Sequence, residues 1–328
     1  MKNFSISTTI GLLRKTAPFL IFRFLIYFGI TVGYFLLTGF GAGIGYGAGM
    51  IFGEAGGGAA YGGFFGFTGA SAILYLIREY LLYIVKAGHI AVLVEVMDGG
   101  EIPDGRGQIE YAQGVVRERF AESSTLFAVD QLIKGVLKAF NKVFFAVATF
   151  IPIPGIEGLA KFLSTVFRLS LTYMDEVILA YSIRTRSTNP WASSRDAIVL
   201  YAQNYKIFLK NSVVLALIIW GLTAVVFLLV LGPVAGMVAM FPGTAGPMTF
   251  LLTLVFTWGI KEAIIEPFGM TALMQVFFKA TEGQQPDIKW EQKLDSISGK
   301  FGELKTKATG WVASRAKPTQ SAGKLLKF

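Results

Sequence analysis

The sequence predicts an all-α, polytopic helical membrane protein with four transmembrane helices and a central re-entrant or short transmembrane hairpin. Three observations carry this. The 328 residues are 53% hydrophobic and only 16% charged, against about 25% charged in soluble domains. The mean hydropathy is +0.57. Uncharged runs recur at lengths beyond the ~20 residues that a helix needs to cross a ~30 Å hydrocarbon core.

Residues 1–23 read as a cytoplasmic, interfacial N-terminal segment. "NFSISTTIGLL" is too polar for the apolar core of a cleavable signal, so the first span is expected to act as an uncleaved signal-anchor. Residues 24–85 read as a glycine-rich hairpin. Phe24 to Gly53 and Ala55 to Ile77 are both uncharged, with Glu54 at the tip. Gly41, Gly45, Gly49, Gly53 and Gly57 recur every fourth residue, the spacing that lets membrane helices approach closely, within the chain or between copies. Gly39, Gly43 and Gly47 lie about 200° round the helix on the opposite face. "GIGYGA", Gly43 to Ala48, matches a dinucleotide-loop pattern but has no preceding strand and no acidic ribose ligand, and Phe, Ile and Tyr between the glycines exclude a flexible linker.

Residues 86–130 read as a cytoplasmic loop and helix. Asp98, Glu101 and Asp104 do not have the spacing of a calcium loop. His89 is the only histidine and the chain has no cysteine, so no ordinary zinc site is expected, and His89 reads as interfacial. Residues 131–183 read as an amphipathic or re-entrant hairpin turning at Pro152 to Gly155 within "VFFAVATFIPIPGI". Residues 184–211 form a cytoplasmic connection. Residues 212–272 form the second transmembrane hairpin, since the uncharged run Asn211 to Ile260 is broken by "FPGTAGP". Residues 273–328 are a basic cytoplasmic tail, an interfacial helix with a disordered end or a docking arm.

Lys and Arg flank the spans on one side, and the hairpin tips have neither. By the positive-inside rule both termini are cytoplasmic, as in a bacterial inner membrane or its equivalent. The formal net charge of +9 then faces anionic lipid rather than nucleic acid. No cofactor or metal is expected. Without HExxH, GxSxG or a P-loop, and with no nucleophile beside a base, no catalytic residue is assigned and enzyme activity is disfavoured.

The candidate polar site is Lys261, Glu262 and Glu266 in "TWGIKEAIIEPFGM". Lys261 lies about 21 Å along the helix from Pro247, and charge at membrane depth costs about 2.5–3.5 kcal/mol on insertion scales, so it marks functional sites. The alternative is a snorkelling lysine with interfacial glutamates, to which a helix break at Pro267 would contribute. Asp175 and Glu176, ahead of Arg184 and Arg186, read as groups that salt-bridge to neighbouring segments or orient the helix rather than as catalytic residues.

"YSIRTRSTNPWASSRDAIVLYAQNYKIFLKNSVVLALIIWGL" (Tyr181 to Leu222), "MTFLLTLVFTWGIKEAIIEPFGMTALMQVFFKATEG" (Met248 to Gly283) and the glycine-rich second span with "ILYLIREYLLYIV" together resemble the membrane domain of the choline transporter-like family. The resemblance covers roughly residues 60 to 285. It implies transport of a small solute or lipid-related substrate and transfers no binding residue. The residues themselves favour a non-catalytic accessory or scaffold protein that assembles through its glycine faces, as a homo-oligomer or in a larger membrane complex.

Overall fold

The computed structural model describes residues 3–102, 107–119, 128–139, 165–166, 171–240 and 246–316. The described residues are helical, with no strand among them. Helix α1 is Ile6–Lys15, α2 Ala17–Ile51, α3 Ala55–Met97 and α4 Gln108–Arg119. A further helix, α5, covers 128–139. Then come α6 Met174–Arg184, α7 Pro190–Gln203, α8 Tyr205–Val238 and α9 Pro247–Ile260. A π-helical turn, Lys261–Ile265, leads into α10 Glu266–Thr281, followed by α11 Ile288–Ile297 and α12 Gly299–Ala316. Among the described residues, three stretches are long and apolar enough to cross a membrane: Ala17–Ile51, Tyr205–Val238 and Pro247–Thr281. The predicted turn at Pro152 to Gly155 and the tail beyond Ala316 lie outside the described residues, as does most of the turn from Phe241 to Pro247.

The chain divides into two units. One contains Phe4–Val115 and Val213–Leu273. Here α2 and α3 form an antiparallel pair whose closest approach is a seam of glycines. A Cβ added to Gly41 would stand 2.9 Å from the Gly66 Cα, one at Gly45 2.9 Å from the Gly62 Cα, and one at Gly58 2.9 Å from the Gly49 Cα. Since carbon atoms rest at about 3.5–4.0 Å, any side chain in the seam would force the helices apart. Gly53 belongs to the turn instead, at φ 75°, and a Cβ at Gly57 would meet only Glu54 Oε2 at 3.7 Å. The α2 side of the seam therefore ends at Gly49, and α3 completes it with Gly58, Gly62 and Gly66. On the opposite face, Gly43 and Gly47 have nothing within 4 Å of an added Cβ.

Two boundaries fall differently from the sequence reading. Helix α2 starts at Ala17, with Pro18 in its first turn where a missing N–H is harmless, so Arg23 lies inside the helix rather than on its flank. Helix α3 does not end near residue 85. It runs on to Met97 with an apolar side, where Val85 and Val92 cluster with Phe19 of α2 and Ala112 of α4. Gly88 sits at the tight point, where a Cβ would be 3.0 Å from the Phe19 ring.

The other unit contains Met1–Asn3, Val116–Ser212 and Met274–Phe328. Asn189 caps α7 by accepting from the Ala192 N–H at 3.1 Å, while its amide donates to the Ala308 carbonyl at 2.8 Å. Trp311 donates to the Thr188 carbonyl at 2.9 Å, and Lys307 lies over the Trp191 ring. Phe301 and Leu304 are fully buried. The tail through α12 is thus a folded part of this unit and not a free arm, because α12 packs against the chain's own α7 and is tied to it by Asn189, Trp311 and Lys307. Asp130 and Lys134 of α5 form an ion pair at 2.7 Å, and Asp175 lies 3.8 Å from the same ammonium. That matches the salt-bridging role read for Asp175.

Candidate functional site

The polar residues of the α2, α3 and α9–α10 segments converge where the π-helical turn interrupts the third candidate span. Lys261 opens that turn and pairs with Glu266, while Glu262 Oε1 stands 3.7 Å from the same ammonium. Two carboxylates therefore share one lysine. All three side chains are largely removed from solvent, with 26% of Lys261, 18% of Glu262 and 11% of Glu266 exposed. The sequence placed these residues on one helix. The π-turn decides their arrangement, because hydrogen bonding five residues back widens the turn and brings Glu266 nearer to lying over Lys261 than ordinary helical spacing would.

Depth follows from the hairpin geometry. Helices α8 and α9 turn between Val238 and Pro247, and Val234, Val238, Met248 and Leu252 share a buried cluster near that turn. At ~1.5 Å per residue, Lys261 comes level with about Val225, well inside the uncharged run of α8. Pro267 does not break the helix. It occupies the first turn of α10, where proline is tolerated, and the span continues to Thr281.

The sequence reading assigned neither Arg23 nor His89 to this site. Arg23, counted there among the cytoplasmic flanking charges, is 1% exposed. Its Nη2 donates to the Glu262 carbonyl at 2.8 Å, and its Nη1 lies 3.5 Å from His89 Nδ1. His89, read as interfacial, is fully buried. Its ring stacks on Phe19 with centroids 5.1 Å apart, and its Nε2 lies 3.2 Å from the Thr16 hydroxyl. A neutral imidazole accepts from the guanidinium, so the two basic groups coexist.

From Arg23 the buried polar positions of α2 continue as Tyr27, Thr31, Tyr34 and Thr38. Tyr27 packs edge-on against Trp258 at 5.7 Å, and the methyl of Thr31 fills the space left by Gly259. The Thr38 end borders a small cavity of ≈ 10 Å³ lined by Phe35, Gly39, Ala42, Val238, Met248 and Leu252. The spacing 23, 27, 31, 34, 38 is that of one helix face. It was available in the sequence as a polar stripe inside an apolar span.

The described residues define a helical protein with, among them, three membrane-length apolar helices and an ionic cluster at a π-turn within one of them. Comparison with protein-family models, curated proteins and solved structures gives no match for this chain. Function therefore has to be argued from the site.

Proposed function

We propose that this chain is a transport-type membrane protein for a small charged or lipid-related solute, with Lys261, Glu262 and Glu266 as its ionic site. The observation that carries this reading is the Lys261–Glu262–Glu266 triad on a π-turn inside a membrane-length helix. Charged groups at such depth are costly and mark solute or ion paths, and π-turns concentrate at functional positions. Two carboxylates sharing one ammonium can exchange that partner for an incoming cationic group with little reorganisation. The resemblance to choline transporter-like proteins points the same way. In this reading α3 supplies a fourth span, the segment 131–183 a re-entrant or short hairpin, and both termini face the cytoplasm, where basic residues meet anionic lipid.

The scaffold reading loses part of its basis, since Gly41, Gly45 and Gly49, which it assigns to assembly, meet Gly66, Gly62 and Gly58 of the same chain. It keeps one specific support: the folded tail, held by Asn189, Trp311 and Lys307, offers a fixed lysine-rich surface for a partner. Reconstitution into liposomes separates the two. Solid-supported-membrane currents or tracer uptake across a panel of small charged solutes should appear for the native protein and fall at least tenfold for Glu262→Gln and Glu266→Gln. A panel with no flux for the native protein would abandon the transport reading.

A further inference from the structure

We propose that Arg23 is the positioning residue of this site, and that it works by supplying a hydrogen-bond donor that Pro267 takes away from the helix. In the π-turn the Glu266 N–H bonds to the Lys261 carbonyl, five residues back. Continuing that register, the Glu262 carbonyl should receive the N–H of residue 267. Residue 267 is proline and has none. A carbonyl left bare in an apolar interior costs several kcal/mol in the absence of water. The Arg23 guanidinium donates to it at 2.8 Å from a side chain that is 1% exposed.

Two residues far apart in sequence thus fix one backbone geometry. Pro267 disfavours the ordinary helical register, in which its ring meets the carbonyl four residues back. Arg23 meets the acceptor that the wider turn leaves over. Arg23 itself is fixed from the other side by His89, whose ring is held by Phe19 and Thr16. Helices α2 and α3 therefore set the register at which Lys261 and Glu262 are presented. Were the π-turn to collapse to α-helical spacing, Lys261 and Glu262 would rotate by about 100° relative to Glu266, and the shared ammonium would be lost. The function of the positioned site rests on the transport reading, but the positioning itself does not.

A double-mutant cycle on the full chain in detergent tests it, with unfolding temperature as one readout. Arg23→Met lowers the unfolding temperature, because the carbonyl is then left bare. Pro267→Ala in the Arg23→Met background restores at least half of that loss, because an N–H at 267 replaces the guanidinium. The second readout is the rate of maleimide labelling at Ile264→Cys. This reporter has no native cysteine to compete with it and sits on the π-turn at a residue 44% exposed. Its rate should change at least threefold with Arg23→Met and return toward native in the double variant. Equal losses for Arg23→Met whether residue 267 is Pro or Ala, or an unchanged labelling rate, would overturn the proposal. Neither readout involves a solute, so failure of the transport assay leaves this test intact.

Discussion

Replacing Gly45 by alanine adds one methyl group to the α2–α3 seam, and its effect can be worked from the structure. The new Cβ would stand 2.9 Å from the Gly62 Cα and closer still to the Gly58 carbonyl oxygen. Reaching the ~3.5–4.0 Å of an ordinary carbon contact would alone require the two helices to separate there by roughly 0.6–1.1 Å, and the closer Gly58 oxygen requires more. Both contacting groups are backbone, so no rotamer change relieves the clash, and neighbouring pairs at Gly41 and Gly66 and at Gly49 and Gly58 lose contact as well. Overpacking of this kind costs about 1–3 kcal/mol, and Gly45→Leu costs more. Gly43→Ala and Gly47→Ala are the controls: they add the same methyl two residues away into open space, where better helix propensity makes them neutral or mildly stabilising. The assay is thermal unfolding in one detergent, followed by tryptophan fluorescence and by recovery of the monodisperse peak after heating. Gly45→Ala and Gly62→Ala should unfold several degrees below native, while the controls remain at or above it. If Gly45→Ala and Gly43→Ala unfold together, the seam reasoning is wrong.

Other expectations concern the ionic site and the tail. Lys261→Met leaves two carboxylates without their shared partner, so it should destabilise more than Lys261→Met combined with Glu266→Met, by about 1–3 kcal/mol given that the lysine is partly exposed; equal losses in chemical denaturation would mean the pair is inert. Asn189→Ala removes both the α7 cap and the tie to Ala308, at about 1–2 kcal/mol. Limited trypsin digestion should then cut faster at Lys300, Lys305 and Lys307, and an unchanged rate would show that the tail is held by other contacts.

The helices were legible wherever a single periodicity governs them. The runs after Phe24 and Asn211 are uncharged over lengths that a membrane-spanning helix needs, and glycine at every fourth residue signalled close approach. What the sequence hid depends on partners. Gly53 and Gly57 continue the four-residue spacing, but the chain turns between them, so the seam passes to Gly58, Gly62 and Gly66 on the other helix. Arg23 looked like a flanking charge because its acceptor, the Glu262 carbonyl, lies 239 residues away. Pro267 read as a helix break because proline's missing N–H is a local fact, whereas its compensation by a guanidinium is tertiary. His89 read as interfacial for a similar reason: its burial needs Phe19 and Thr16 from α2 and the junction before it.

The central claim is that Lys261, Glu262 and Glu266 form a site for a small solute, and native mass spectrometry of the gently solubilised protein tests it most directly. The account predicts discrete species of this chain that retain a small molecule or lipid, with that adduct lost from Glu262→Gln and Glu266→Gln protein of equal stability. Stoichiometric co-purification of a larger protein, with no small-molecule adduct sensitive to those substitutions, would contradict it and make the chain an accessory subunit of that partner.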